Sequence, residues 1–163
     1  MSRGQIEIFL QPGEFYFGDR YTRIRTLLGS CVAVTLWHPR FAIGGMCHFL
    51  LPGRVRDPAQ DADGRYADEA LQWLMDAASS RGTRPHDYEI KMFGGGNMFP
   101  RHNGGIGLDV GARNIEAAHG LLALHGLKPR AASVGENGYR NVFFDVATGH
   151  VWVRHVANAV EAV

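Results

Sequence analysis

Apolar and polar residues alternate from the start of the chain: Ile6, Ile8 and Leu10, then Phe15 and Phe17, on either side of Gln11-Pro12-Gly13. A period of two marks a half-buried strand, and Pro-Gly is a turn signal, so the opening predicts two short strands joined by a turn. Residues 31–37 are rich in β-branched side chains and predict a strand. His38-Pro39-Arg40-Phe41 follows as a turn with Pro39 at its first central position. Residues 42–51 predict a second strand, ended by Pro52-Gly53. The polar stretch 54–65, with Pro58 and Gly64, predicts an exposed loop.

The period then changes. Ala70, Leu71, Leu74, Met75 and Ala78 share one face of a helix predicted over 66–80, with Gly82 as its stop. Residues 88–93 return to a strand running into Gly94-Gly95-Gly96. A second helix is predicted over 111–125, with Ile115, Ala118, Leu121 and Leu122 on its apolar face and Gly126 at its end. Strands are predicted at 131–134, 141–146 and 150–156, the last two joined by a hairpin turn at Thr148-Gly149. Strict strand–helix alternation is missing, which disfavours a doubly wound parallel sheet. The order predicts an α+β domain with a mixed sheet and two helices on one side. No internal repeat is visible, and 163 residues suit a single domain, 1–163.

Composition narrows the function classes. A hydrophobic content of 45% suits a packed globule, and a net charge of +1 argues against a broad nucleic-acid footprint. The short cluster Arg20, Arg23 and Arg25 reads as a solvated segment or as a docking patch for an acidic partner. No apolar run reaches the length of a membrane span, and Met1 to Ile8 lacks the apolar core of a secretory signal. A cytoplasmic protein with reduced thiols is expected. Its two cysteines, Cys31 and Cys47, form no C-x-x-C, and the eight histidines are scattered. No disulfide framework, metal site or cofactor is therefore expected.

The densest chemistry lies at Thr26-Leu27-Leu28-Gly29-Ser30-Cys31. A cysteine after Gly-Ser, where one strand breaks and another begins, sits on a bend that exposes its side chain and leaves backbone N–H groups free for an oxyanion. A nucleophilic thiol needs a base, and His48 is placed by geometry. If the turn closes with Trp37 opposite Ala42, antiparallel pairing sets Cys31 directly opposite His48, with Cβ atoms about 5 Å apart. A slip of one residue turns Cys47 or Phe49 toward Cys31 instead. Cysteine is also among the most buried residue types, so two inert core thiols remain open on spacing alone.

Leu28-Gly29-Ser30-Cys31-Val32-Ala33-Val34-Thr35-Leu36-Trp37, followed by Ile43-Gly44-Gly45-Met46-Cys47-His48-Phe49-Leu50-Leu51-Pro52, resembles the chemoreceptor glutamine deamidase family, CheD. Arg65-Tyr66-Ala67-Asp68, Lys91 to Phe99, Gly111 to Ile115 and Arg140 to Phe144 extend the resemblance over residues 14 to 155. It implies a layered α/β/β domain and a Cys–His–Thr constellation of Cys31, His48 and Thr26. The family form Thr-Leu-Gly-Leu-Gly-Ser-Cys is one residue longer than the segment here. The implied activity is hydrolysis of glutamine side chains to glutamate on helical chemoreceptor domains, through a cysteine thioester. Methyl-ester hydrolysis is chemically related. Gly29, Ser30, Gly95 and Asn97 are the expected oxyanion and substrate-binding residues, and loops 54–65 and 94–97 the expected rims of a docking groove.

Two rival readings belong to other classes. The first is a binding module that engages a CheC-type chemotaxis phosphatase with little catalysis. The second is a thiol redox sensor using Cys31 and Cys47, which strand parity disfavours because Cys47 and His48 point to opposite faces.

Overall fold

The computed structural model describes residues 4–99 and 109–157. Met1 and Arg3, at the head of the segment read as non-secretory, lie outside them. The order is β1 (Ile6–Leu10), β2 (Phe15–Gly18), β3 (Thr22–Leu28), β4 (Val32–His38), β5 (Ile43–Phe49), α1 (Ala67–Ser80), β6 (Glu89–Gly94), α2 (Val110–Leu124), β7 (Ala131–Val134), β8 (Tyr139–Asp145) and β9 (Val151–Val156). These form two mixed sheets, β1-β3-β8-β9 and β2-β5-β4-β6-β7. The α+β class and the predicted helices are present, each within about a residue of the expected bounds. No helix among the described residues is long and apolar enough to cross a membrane.

Strand parity builds the layers. In β4, Val32, Val34 and Leu36 point to one side, where they pack with Leu74, Ala78, Ala118 and Leu122 of the two helices. Ala33 points to the other side and packs with Ile24, Leu28, Val142 and Phe144 of the second sheet. The result is helices, a five-stranded sheet and a four-stranded sheet stacked in that order. Burial of aliphatic and aromatic side chains on both faces of the middle sheet holds the stack, at roughly 25 cal/mol per Å² of apolar surface removed from water. The Gln11-Pro12-Gly13 turn does not join a hairpin. It carries the chain from β1, paired parallel with β3, across to β2, paired with β5 in the other sheet. Arg23 and Arg25 lie on β3 between inward-facing Thr22, Ile24 and Thr26, so they face away from the inter-sheet core.

The β4–β5 register departs from expectation. His38 pairs with Ile43 and Trp37 with Gly44, so Ala33, not Cys31, stands opposite His48. Ala42 does not join the strand. Its N–H closes the turn on His38 O at 2.9 Å, and it takes a positive φ of 50°. The loop therefore takes one more residue from β5 and one fewer from β4. A shift of two residues preserves parity, so His48 keeps the face that Cys31 occupies. Cys31 itself precedes β4 and belongs to the bend between β3 and β4.

Candidate active site

Thr26, His48 and Cys31 arrive from three directions. Thr26 lies on an inward position of β3, since Thr22, Ile24, Thr26 and Leu28 are all buried in alternation. His48 lies on the inter-sheet face of β5, held by backbone bonds from His48 N–H to Glu14 O at 3.1 Å and from Gly13 N–H to His48 O at 2.8 Å. Cys31 is half-buried against the same inter-sheet cluster. Cys47 is fully buried on the helix side of the middle sheet. The two thiols thus lie on opposite sides of a sheet, which no disulfide bridges without backbone movement.

The layering sets one tautomer. Thr26 Oγ1 lies 2.7 Å from His48 Nδ1, and the hydroxyl donates to Leu10 O at 2.9 Å. A threonine hydroxyl has one proton. With that proton on Leu10 O, Oγ1 accepts from His48, so Nδ1 carries the hydrogen and Nε2 the lone pair. His48 is 1% exposed, and its Nε2 has no hydrogen-bond partner among the described residues. The hydrogen bond anticipated between Cys31 and His48 is therefore not formed in this state.

Electrostatics favour a neutral pair. Burial pushes the Cys31 thiol above its ordinary value, opposed by its own backbone N–H. Burial pushes the His48 imidazole down to about 4, with Glu14 opposing the shift. The resting pair is a thiol beside a neutral imidazole, because neither charged form is solvated here. A pH dependence of stability follows. An unfolded histidine titrates near 6.5, so between about pH 6.5 and about pH 4 the unfolded chain binds a proton that the folded chain excludes. Stability is therefore full above the window and falls as pH drops through it, by roughly 3 kcal/mol across the whole shift. Urea unfolding at a series of pH values is expected to show that loss in the parent and a flatter profile in His48→Asn.

The bend around Cys31 is held from the 94–97 loop and from α2. Gly95 N–H donates to Cys31 O at 2.7 Å and Gly96 N–H to Gly29 O at 2.9 Å. Gly95, one of the expected oxyanion and substrate-binding residues, gives its N–H to the Cys31 bend. Its conformation demands glycine: φ is +66°, and a Cβ would lie 2.4 Å from Ile115 Cγ1. Ser30 O accepts from Asn114 Nδ2 at 3.0 Å. Asn97 ties its own loop, its N–H donating to Glu136 O at 2.7 Å and its Oδ1 accepting from Phe99 N–H at 3.0 Å. A cleft of ≈ 90 Å³ opens beside Ser30, lined also by Gly96, Asn97 and Met98. The structure thus gathers Gly29, Ser30, Gly95 and Asn97 at one rim, with Gly95 supporting that rim from behind. The 54–65 loop is pinned by Glu69, which takes Arg54 in a bidentate pair at 2.8 and 3.1 Å.

Two residues without an assigned sequence role support the site. Arg140 is fully buried and donates to Gly94 O, Gly135 O and Ser133 Oγ, which braces the end of β6. Asn114 is fully buried on α2 four residues before Ala118 and eight before Leu122. A polar residue on an apolar helical stripe is the signal that marks it in the sequence.

Comparisons with known proteins show the family. The family model described as "CheD chemotactic sensory transduction" matches residues 50–155, starting just after His48. Full-length relatives cover the remaining site. A Pseudomonas savastanoi protein is 53% identical over 153 residues, 93% of this chain and 86% of that protein. A Dechloromonas aromatica protein is 47% identical over 147 residues, 90% and 86%. A Geobacter sulfurreducens protein is 37% identical over 155 residues, 95% and 92%. All three carry the name "probable chemoreceptor glutamine deamidase CheD", two with a copy number. Matched through its helices and late strands by the family model, and through the cysteine bend by its relatives, this chain belongs to the CheD family.

Proposed function

We propose that this protein is a protein-glutamine glutaminase that converts glutamine side chains of chemoreceptor cytoplasmic domains to glutamate, with Cys31 as nucleophile, His48 as base and Thr26 as the residue orienting His48. The observation that carries the reading is the Leu10–Thr26–His48 relay, which leaves Nε2 as the basic nitrogen on the face that Cys31 occupies. A buried imidazole held in one tautomer has no evident packing purpose, whereas a general base requires it.

The chemistry follows from the neutral pair. Nε2 takes the thiol proton as the sulfur adds to the amide carbon, and the carbonyl π pair moves onto oxygen. Collapse of this intermediate breaks the carbon–nitrogen bond, and the proton held by His48 leaves with ammonia. His48 then takes a proton from water as it attacks the thioester. The carbon–sulfur bond breaks, the proton returns to sulfur, and a glutamate side chain is left. Water is the only co-reactant. The same steps act on a methyl ester with methanol as leaving group. Thr26 supplies orientation without charge, so the imidazolium formed in each step gains less than a buried carboxylate would provide.

The cleft beside Ser30 is the entry for the glutamine side chain, and the Glu69-pinned loop and the 94–97 loop flank the helical substrate. The reading takes residues 1–163 as one deamidase domain acting in the cytoplasm. Its test is intact-mass measurement of a chemoreceptor cytoplasmic fragment incubated with and without the protein. The expected result is a gain of about one mass unit per converted glutamine, with ammonia released in equal amount. A fragment whose mass stays constant while it binds the protein would overturn the enzymatic reading and favour a module that docks a receptor or a CheC-type phosphatase.

A further inference from the structure

Three consecutive carbonyls around the thiol are held by donors from other parts of the fold. Gly29 O and Cys31 O are held by Gly96 and Gly95 N–H. Between them, Ser30 O is held by the side chain of Asn114 at 3.0 Å. The second amide hydrogen of Asn114 goes to Leu50 O at 3.1 Å, two residues beyond His48. Both partners are carbonyl oxygens, which only accept, so the nitrogen of the Asn114 amide faces them and its oxygen points away. That oxygen is buried and has no partner among the described residues. An aliphatic side chain would fill this stripe of α2 without burying a polar atom, as Ala118 and Leu122 do. The two donors are what distinguish Asn114 from them.

The direction of the Ser30 carbonyl has a consequence on the far side of the same peptide. In a trans peptide the C=O and the following N–H point opposite ways. With Ser30 O turned to α2, the Cys31 N–H is turned away from α2. Neither it nor the Ser30 N–H donates to a backbone carbonyl among the described residues. A donor beside the nucleophile that no backbone carbonyl holds is what a forming oxyanion requires.

We infer that Asn114 is a positioning residue that locks the Ser30–Cys31 peptide so that the Cys31 N–H faces the oxyanion of the tetrahedral intermediate. A flip of this one peptide would swing the Ser30 carbonyl oxygen toward the developing negative charge, replacing a donor with a repelling acceptor. Gly95 and Gly96 hold the peptides on either side, and Asn114 holds the middle one. The inference rests on Cys31 being the nucleophile.

Two reactions of the same sulfur test it. Deamidation passes through an oxyanion, whereas alkylation by iodoacetamide displaces iodide from a tetrahedral carbon and forms none. Asn114→Leu removes both donors at similar volume, and Asn114→Asp keeps the shape with at most one donor. Both variants are expected to lose kcat for receptor deamidation by ~10²-fold with KM nearly unchanged. Their Cys31 alkylation rate should fall far less than kcat, while the thermal midpoint drops in both because two carbonyls lose their donor. Where Asn114→Leu fails to fold, Asn114→Asp is the deciding variant. Unchanged kcat would overturn the inference. So would parallel losses of kcat and alkylation rate, which would make Asn114 a general support for the bend. Failure of the nucleophile reading shows separately, as deamidation that survives Cys31→Ala in a chain with Asn114 intact.

Discussion

Receptor deamidation is expected to fall by ~10⁴-fold or more in Cys31→Ala, and adding His48→Ala to that variant should lower it no further. In the proposed mechanism the two side chains act in one step. The thiol is neutral and desolvated, so it attacks only as Nε2 removes its proton. Without sulfur the base has nothing to activate; without the base the thiol stays protonated at neutral pH. Each single change therefore removes the whole of the covalent route. Ammonia release from a receptor fragment measures all three variants. Losses that add in the double variant would mean two independent contributions, and would contradict a shared proton transfer. Cys47→Ala is the internal control. Its thiol, pushed up to about 12 by burial on the helix side of the sheet, has no role in the proposed mechanism, so that variant should deamidate at the parental rate.

Thr26→Val is expected to lower kcat by ~10²- to 10³-fold, and Thr26→Ser to recover most of the loss. Valine has nearly the shape of threonine but no acceptor. Nδ1–H then loses its partner among the described residues, and Leu10 O loses a donor. A buried N–H left unpaired is unfavourable by about 1–3 kcal/mol, so the ring gains by moving its proton to Nε2 or by turning. Either response places a hydrogen where the lone pair was needed. Imidazole nitrogen chemical shifts would report the tautomer directly: Nδ1–H in the parent and in Thr26→Ser, mixed or Nε2–H in Thr26→Val. A fall in kcat with the parental tautomer retained would remove orientation as the role of Thr26. Stability alone does not distinguish the outcomes, since Leu10 O loses its donor in Thr26→Val whether or not His48 is a base.

Much of this site is local in origin and so could be read along the chain. The bend at Gly29-Ser30-Cys31, the inward position of the histidine and the separation of the two cysteines all follow from glycine placement and the two-residue period of strands. The register of β4 on β5 was not legible. It depends on whether Ala42 pairs or adopts a positive φ in the turn, a choice between conformations that differ little in local energy. Parity survived because the error was two residues and not one. The partnership of Thr26 with His48 was available through the family resemblance alone. Residues 26 and 48 lie on strands of different sheets, and no periodicity relates them.

What the sequence determined unaided was the type and order of the elements, the burial parity within each strand, and the presence of a cysteine at the bend between two strands. These are properties of neighbouring residues and their side-chain period. What only the tertiary structure decided was protonation and direction. The inter-sheet packing puts the Thr26 hydroxyl between Leu10 O and Nδ1, and so fixes which nitrogen is basic. The seating of α2 against the middle sheet brings Asn114 to the Ser30 carbonyl, 84 residues away in the chain. Both depend on buried groups that meet across layers, where each partner comes from a distant part of the sequence.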